Sequence, residues 1–310
     1  MISLVGYTGF VGSNILESAG NEIDRRYNSK NIEEAFGTNP DLLIFSGLRA
    51  EKYLANNNPS KDMELIIEAE ENIARIRPKK LVLISTIDVF KTPKGVDENS
   101  AISTDNLHPY GYNRFMLETW VRENYEDSLI IRLPGLFGNN IKKNFIYDYI
   151  NVIPFMLKKD KLEELSIEDR ELERFYVPSE NGFFKVSVND EEKKELRKRF
   201  RKLGFSALNF TDSRSRFQFY NLSNLWKDIN IALEAGISLW HPATEPILAS
   251  ELFLYLSGER FENEIGGIPA DYDYRSIHAE TFGGADGYIE SREKVMQEIR
   301  EFVESQGEYR

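Results

Sequence analysis

The first twelve residues constrain the fold more than any other stretch of this chain. An apolar run, Ile2 to Val5, leads directly into Gly6-Tyr7-Thr8-Gly9-Phe10-Val11-Gly12, and a helix-like segment, Ser13 to Ser18, follows at once. A strand feeding a glycine turn and then a helix start is what the pyrophosphate of a dinucleotide requires. Glycines let the chain turn tightly and bring backbone close to phosphate with no Cβ between them. The first helical turn then offers unpaired N–H groups to the anion. Gly20 is placed to end that helix. A plain turn before a surface helix would explain a glycine triplet in mid-chain; it explains less well one that follows a strand beginning at residue 2.

Downstream, short apolar runs alternate with helical patterns, which predicts an α/β, doubly wound (Rossmann-like) parallel sheet. A polar second strand is expected near Glu22 to Tyr27, a third over Asp41 to Phe45 ending in Ser46-Gly47, and a fourth over Leu81 to Ile84. Asn56-Asn57-Asn58-Pro59 opens a long helix to about Ile76, and Tyr110 to Tyr125 reads as a helix with Leu117, Val121 and Tyr125 on one face. Leu129 to Leu133 is a fifth strand, stopped by Pro134-Gly135. Between residues 158 and 202 charge is dense, and one helix stands out: Asn189 caps it with Glu192 three residues later, Gly204 closes it, and Leu196, Phe200 and Leu203 form its apolar face. Its cations, Lys193, Lys194, Arg197, Lys198, Arg199, Arg201 and Lys202, read as a solvated face rather than a diphosphate site.

A chain of 310 residues that is 41% hydrophobic buries a large core. We expect a dinucleotide-binding domain over 1–140, joined by about 206–240, and a smaller C-terminal substrate lobe from 141–205 and 241–310. The net charge of −12 argues against nucleic acid or an anionic membrane as partner. Cysteine is absent, which excludes disulfides, thiol catalysis and cysteine-bound metals, and His108, His241 and His278 lack metal-ligand spacing, so no metal is expected. No apolar stretch reaches the roughly 20 residues of a membrane span, and a strand at residue 2 leaves no room for a signal peptide. The expected location is the cytoplasm.

Ligands of open α/β sheets bind at the carboxyl ends of the strands. The fourth strand ends in Ser85-Thr86-Ile87-Asp88-Val89-Phe90, placing two hydroxyls at its tip. Twenty-four residues after Thr86, Pro109-Tyr110-Gly111-Tyr112-Asn113-Arg114 opens a helix on which Tyr110 and Arg114 share a face. A phenol with an ordinary pKa of about 10 needs a nearby cation to exchange protons at neutral pH.

The Gly6-x-x-Gly9-x-x-Gly12 spacing, Ser85-Thr86 followed by Val89-Phe90, the Tyr110-Gly111 pair, and Arg132 through Gly138 before Asn144 follow one another as in the extended short-chain dehydrogenase/reductases. The chain resembles that family of NAD(P)-dependent nucleotide-sugar epimerases and dehydratases over its first half and more loosely beyond. The resemblance implies that Thr86 bonds the substrate oxygen and that Tyr110 exchanges its proton while a hydride moves to or from nicotinamide. It places the cofactor on Gly6, Thr8, Gly9, Phe10, Val11, Gly12, Asn28, Ser29, Lys30, Ser46, Gly47, Leu48, Ser85, Tyr110, Arg114, Pro134 and Leu136, and the sugar nucleotide on Thr86, Asn144 and Arg216. Asn144, Lys143 and Arg216 are the candidate diphosphate contacts, each with a plain surface alternative, which is the preferred reading for Lys143. The resemblance also implies a homodimer.

One position departs from the pattern. The family's lysine, which binds the nicotinamide ribose and lowers the tyrosine pKa, is Arg114 here. Two readings follow: a catalyst adapted to arginine, in which Arg114 joins Thr86 and Tyr110, or a dinucleotide-binding protein of altered chemistry that serves as redox-responsive regulator or scaffold. For the cofactor, Asp24 favours NAD and Arg25-Arg26 with Asn28-Ser29-Lys30 favours NADP; the local positive excess tilts the balance toward NADP.

Overall fold

The computed structural model describes residues 1–179 and 182–307. Its centre is a parallel sheet built from β1 (Ile2–Val5), β2 (Arg25–Tyr27), β3 (Leu42–Phe45), β4 (Lys80–Thr86), β5 (Ser128–Leu133) and the short strand Leu239–Trp240. The order across the sheet is Leu239–Trp240, β5, β4, β3, β1, β2. Chain direction across the sheet reverses between β1 and β3, so the two winding senses meet there.

Period-two alternation divides the strand residues between two apolar layers. Leu4, Leu42, Ile44, Val82, Leu129 and Ile131 face helix α1 (Phe10–Ala19) and the helix Leu225–Glu234. Leu43, Phe45, Leu81, Leu83 and Ile130 face α3 (Pro59–Ile76) and α4 (Pro109–Asn124), which supply Ile66, Ile73, Leu117 and Val121. A six-residue helix, α2 (Lys52–Asn57), precedes α3; the sequence reading had only the one long helix there. Asn58 caps α3 by accepting from the Lys61 N–H, as expected of the asparagine run. β2 is shorter than expected, covering only Arg25–Tyr27, while Ile23 of the same segment packs into the core ahead of the strand.

The chain divides into two compact units: 1–141 with 216–247 and 271–299, and 142–215 with 248–270 and 300–310. This differs from the expected division beyond residue 205. His241 to Ile247 and 271–299 belong to the first unit, where Ala243, Tyr274 and Ile289 enter its core, and 206–215 belongs to the second. The second unit contains an antiparallel sheet with Phe183–Val186 between Met156–Lys158 and Tyr176–Pro178. It also contains the helix Asp190–Lys202, with the anticipated Asn189–Glu192 capping box, and Leu196 and Phe200 fully buried.

Candidate active site

At the carboxyl end of β1 the three glycines serve separate needs. Gly6 takes a φ of +90°, and a Cβ there would lie 2.5 Å from the Ser46 carbonyl oxygen. On α1, a Cβ on Gly12 would come 2.2 Å from the Gly6 carbonyl oxygen, so this glycine lets the helix sit directly on the turn. Gly9 is the N-cap, with an ordinary φ of −79°, and is exposed; a Cβ there meets only Gly6 O at 3.2 Å. Space outside Gly9 is therefore open in the fold itself. The first turn of α1 carries no acidic residue to repel an anion.

Ser46 donates to the Val5 carbonyl at 2.8 Å and ties the end of β3 to that of β1, with Gly47 exposed and Leu48 half-buried beside it. Beyond β2, Asn28 accepts from the Lys30 N–H at 2.9 Å, leaving Ser29 and Lys30 exposed. Asp24 is turned back onto the Ile2 N–H at 2.6 Å. Thr8 is exposed, and Phe10, Val11, Pro134 and Leu136 are half-buried.

β4 continues through Ser85 and Thr86, two residues further than the apolar run alone implies. The two hydroxyls go to different places. Ser85 donates to buried Glu118 at 2.6 Å, and Glu118 is gripped by Arg132, whose Nη2 lies 2.7 Å away. Ser85 thus belongs to a buried structural network. Thr86 accepts from the Asp88 N–H at 3.2 Å, and its side chain lies beside the phenol of Tyr110, near enough to draw the phenol's pKa down.

The Thr86–Tyr110 meeting follows from close packing of α4 on the turn after β4. A Cβ on Gly111 would be 2.1 Å from the Asp88 carbonyl oxygen, so only glycine admits this approach. His108 caps the helix through Nδ1, which accepts from the Gly111 N–H at 3.0 Å, and Asn56 of α2 accepts from the Tyr110 N–H at 3.0 Å.

Arg114 is the main surprise. Its guanidinium is 4% exposed, pairs with buried Asp62 of α3, donates to the Arg49 carbonyl at 2.8 Å, and lies over the Tyr110 ring 4.1 Å from its centroid. Asn113 donates to the same Asp62 carboxylate at 2.8 Å. The arginine therefore clamps the ring face and α3, with one donor on each terminal nitrogen committed inside the protein. Burial pushes the Tyr110 phenol above its ordinary value; Arg114 and the Thr86 side chain pull it down, while Asp88 and Asp62 push it up. The expected lowering by Arg114 is present, but burial outweighs it.

The two remaining substrate candidates fall in different units. Arg216 is committed to Asp271, with Nε 2.7 Å from the carboxylate. Asn144 has a φ of +109° and caps the short helix Phe145–Ile150 by accepting from the Ile146 N–H at 3.0 Å. On that helix burial pushes Asp148 up to about 7. His241 is a fully buried packing residue: Arg132 can only donate to its Nε2, at 3.2 Å, so Nδ1 carries the hydrogen facing the Arg275 carbonyl. Burial and the Arg132 charge hold it down at about 3, hence neutral. Among the described residues no group of three or more His, Asp or Glu is arranged to hold a metal, and no helix is long and apolar enough to cross a membrane.

Sequence reasoning missed Lys52, Asp88 and Tyr272, which surround the Thr86–Tyr110 pair. Asp88 pairs with Lys52 Nζ at 3.0 Å and accepts from the Tyr272 hydroxyl at 3.2 Å. Asp88 was visible in the strand-end motif, but nothing in the sequence connects it to residues 36 positions before or 184 after it.

No protein-family model matches the chain, and no curated protein is similar to it in sequence. Its structure is similar to solved ones. The dTDP-4-dehydrorhamnose reductase from Yersinia enterocolitica aligns with a TM-score of 0.65 at 14% identity, covering 98% of each chain. The dTDP-4-dehydrorhamnose reductase from Bacillus anthracis, solved in complex with NADP, gives 0.63 at 14% identity over 98% of this chain and 97% of that one. A UDP-N-acetylglucosamine 4-epimerase from Methanobrevibacter ruminantium, solved with UDP-N-acetylmuramic acid, gives 0.60 at 13% identity over 99% and 98%. With its parallel sheet, glycine turn and strand-end hydroxyls in place, the chain has the fold of these nucleotide-sugar reductases and epimerases, the extended short-chain dehydrogenase/reductase fold.

Proposed function

We propose that the protein is an NAD(P)-dependent enzyme acting on a nucleotide-linked sugar, with Tyr110 as its acid–base group and Thr86 as its partner. The observation that carries this reading is that the Thr86 side chain at the end of β4 and the Tyr110 phenol on α4 lie beside one another, at the carboxyl end of the sheet that also carries the glycine turn. The backbone of Gly6 to Gly12 and the start of α1 would hold the dinucleotide pyrophosphate, with Ser46 to Leu48 and Pro134 to Leu136 flanking it. When bound, that cofactor supplies or accepts the hydride. Thr86 orients the sugar oxygen, and Tyr110 gives its proton to that oxygen in reduction or takes it in oxidation.

Burial keeps Tyr110 protonated at neutral pH, which suits it to donate. Reduction of a sugar carbonyl is therefore the direction we favour. NADP is the cofactor we favour, because Asp24 is occupied by the Ile2 N–H while Arg25, Arg26 and Lys30 are exposed. Ser85 is withdrawn from the cofactor assignment, since Glu118 holds its hydroxyl.

A second reading rests on the burial of Arg114: with both terminal nitrogens bonded to Asp62 and Arg49 inside the protein, the fold would bind dinucleotide without turnover, as a redox-responsive regulator or scaffold. A panel of nucleotide sugars and their keto forms, incubated with NADH or NADPH, separates the two. Product must be read by chromatography as well as absorbance, because epimerisation leaves no net nicotinamide signal. The first reading predicts turnover of at least one keto sugar nucleotide, faster with NADPH. Dinucleotide binding with no product across the panel would favour the second.

A further inference from the structure

The charges around Tyr110 form two separate pairs. Arg114, on its own helix, is matched by Asp62 of α3. Asp88, on the turn leaving β4, is matched by Lys52 of α2. The other polar groups facing the phenol are the Thr86 hydroxyl, the Tyr272 hydroxyl held by Asp88, and His108, whose ring centroid is 6.3 Å from that of Tyr110. His108 accepts through Nδ1, and burial and the Lys52 charge hold it below its ordinary value, so it adds no charge at neutral pH. Arg114 draws the phenol down, Asp88 is the foremost of the charges pushing it up, and Lys52 is the cation paired with Asp88.

Asp88 is also bound to the site mechanically. Its N–H holds the Thr86 hydroxyl, and its carbonyl packs against Gly111 beside Tyr110. Lys52 is reached from solvent, its side chain being 42% exposed against 18% for Asp88. A lysine there is not fixed by packing in the way Arg114 is.

We propose that the Lys52–Asp88 ion pair, with the Tyr272 hydroxyl bound to it, is a positioning element that adjusts the charge felt by the Tyr110 hydroxyl, in addition to the fixed charge of Arg114. The inference rests on the reading of Tyr110 as the acid–base group. Without Lys52 the bare carboxylate holds the proton on Tyr110 more tightly; without Asp88 the proton is released more readily.

The test places 3,5-difluorotyrosine at position 110, which brings the phenol's titration well below that of lysine, and follows it by ¹⁹F NMR in the full chain. Lys52→Met should raise the titration midpoint by about half a unit to one unit, and Asp88→Asn should lower it by a similar amount. The double variant should return to the parent's midpoint or fall below it, since the carboxylate that Lys52 masks is gone. Lys52→Arg, which keeps the charge, should stay near the parent. An unchanged midpoint in Lys52→Met, or a double variant as high as Lys52→Met, overturns the proposal. Because the titration needs no turnover, an inactive protein would defeat the enzymatic reading separately, and an active protein with an unmoved midpoint would defeat only this one.

Discussion

Replacing Arg114 by methionine is expected to cost about 3–5 kcal/mol of stability, the scale on which removing one partner of a buried ion pair leaves the other uncompensated. Asp62 would keep only the Asn113 amide as a side-chain donor, and the Arg49 carbonyl would lose its own. Arg114→Lys retains charge but cannot serve Asp62 and Arg49 together with one ammonium, and it loses the planar cover over the Tyr110 ring. It should cost about 1–2 kcal/mol. Arg114→Met combined with Asp62→Leu should recover most of the loss, because no orphaned charge remains. Urea unfolding of the four proteins measures this, and a loss under about 1 kcal/mol in Arg114→Met would show that the clamp contributes little.

Tyr110→Phe should keep the fold and dinucleotide affinity yet lower turnover by about 10² to 10⁴, the usual contribution of a general acid. The phenol is protonated and uncharged at neutral pH, so losing it leaves no buried charge unpaired. Thr86→Val should also impair turnover, by releasing the oxygen that orients the substrate. The pH dependence has a definite sign. Because burial raises the Tyr110 pKa, reduction should hold its rate through neutral pH and fall only at alkaline pH, where the phenol ionises. Oxidation should rise over the same range. Full activity in both Tyr110→Phe and Thr86→Val, on a substrate the parent converts, would move the chemistry to other residues.

What the sequence made legible was local in character. The glycine turn, the strands β3 to β5 and the capping box of Asp190–Lys202 are each written within a dozen or so residues, where periodicity and backbone chemistry act directly. α2 was missed because six residues ended by Asn58-Pro59 give no readable period, and Leu54 on it is exposed. Arg114 shows the opposite limit. Its position on α4 was clear, but its direction is decided by Asp62, 52 residues earlier on α3, and no local rule couples the two. Ser85 and Thr86 are adjacent in a strand, so they face opposite sides of the sheet; that alternation alone separates the hydroxyl given to Glu118 from the one that reaches Tyr110.

The central claim is that the turn from Gly6 to Gly12 holds a dinucleotide, and Gly9 tests it most directly. Side chains at Gly6 and Gly12 would strike backbone, at 2.5 and 2.2 Å, and would damage the fold itself. At Gly9 the φ is ordinary and the nearest atom to an added Cβ is 3.2 Å away, so Gly9→Val should fold and instead fill the space the phosphates need. Isothermal titration of the parent with NADPH and NADH should show one dinucleotide per chain, tighter for NADPH, and Gly9→Val should weaken it at least about 100-fold, near 2.7 kcal/mol, while still unfolding cooperatively at a melting temperature only modestly below the parent's, because valine is a weaker N-cap than glycine. Equal affinity in parent and variant, or no binding of either dinucleotide by the parent, would contradict the account.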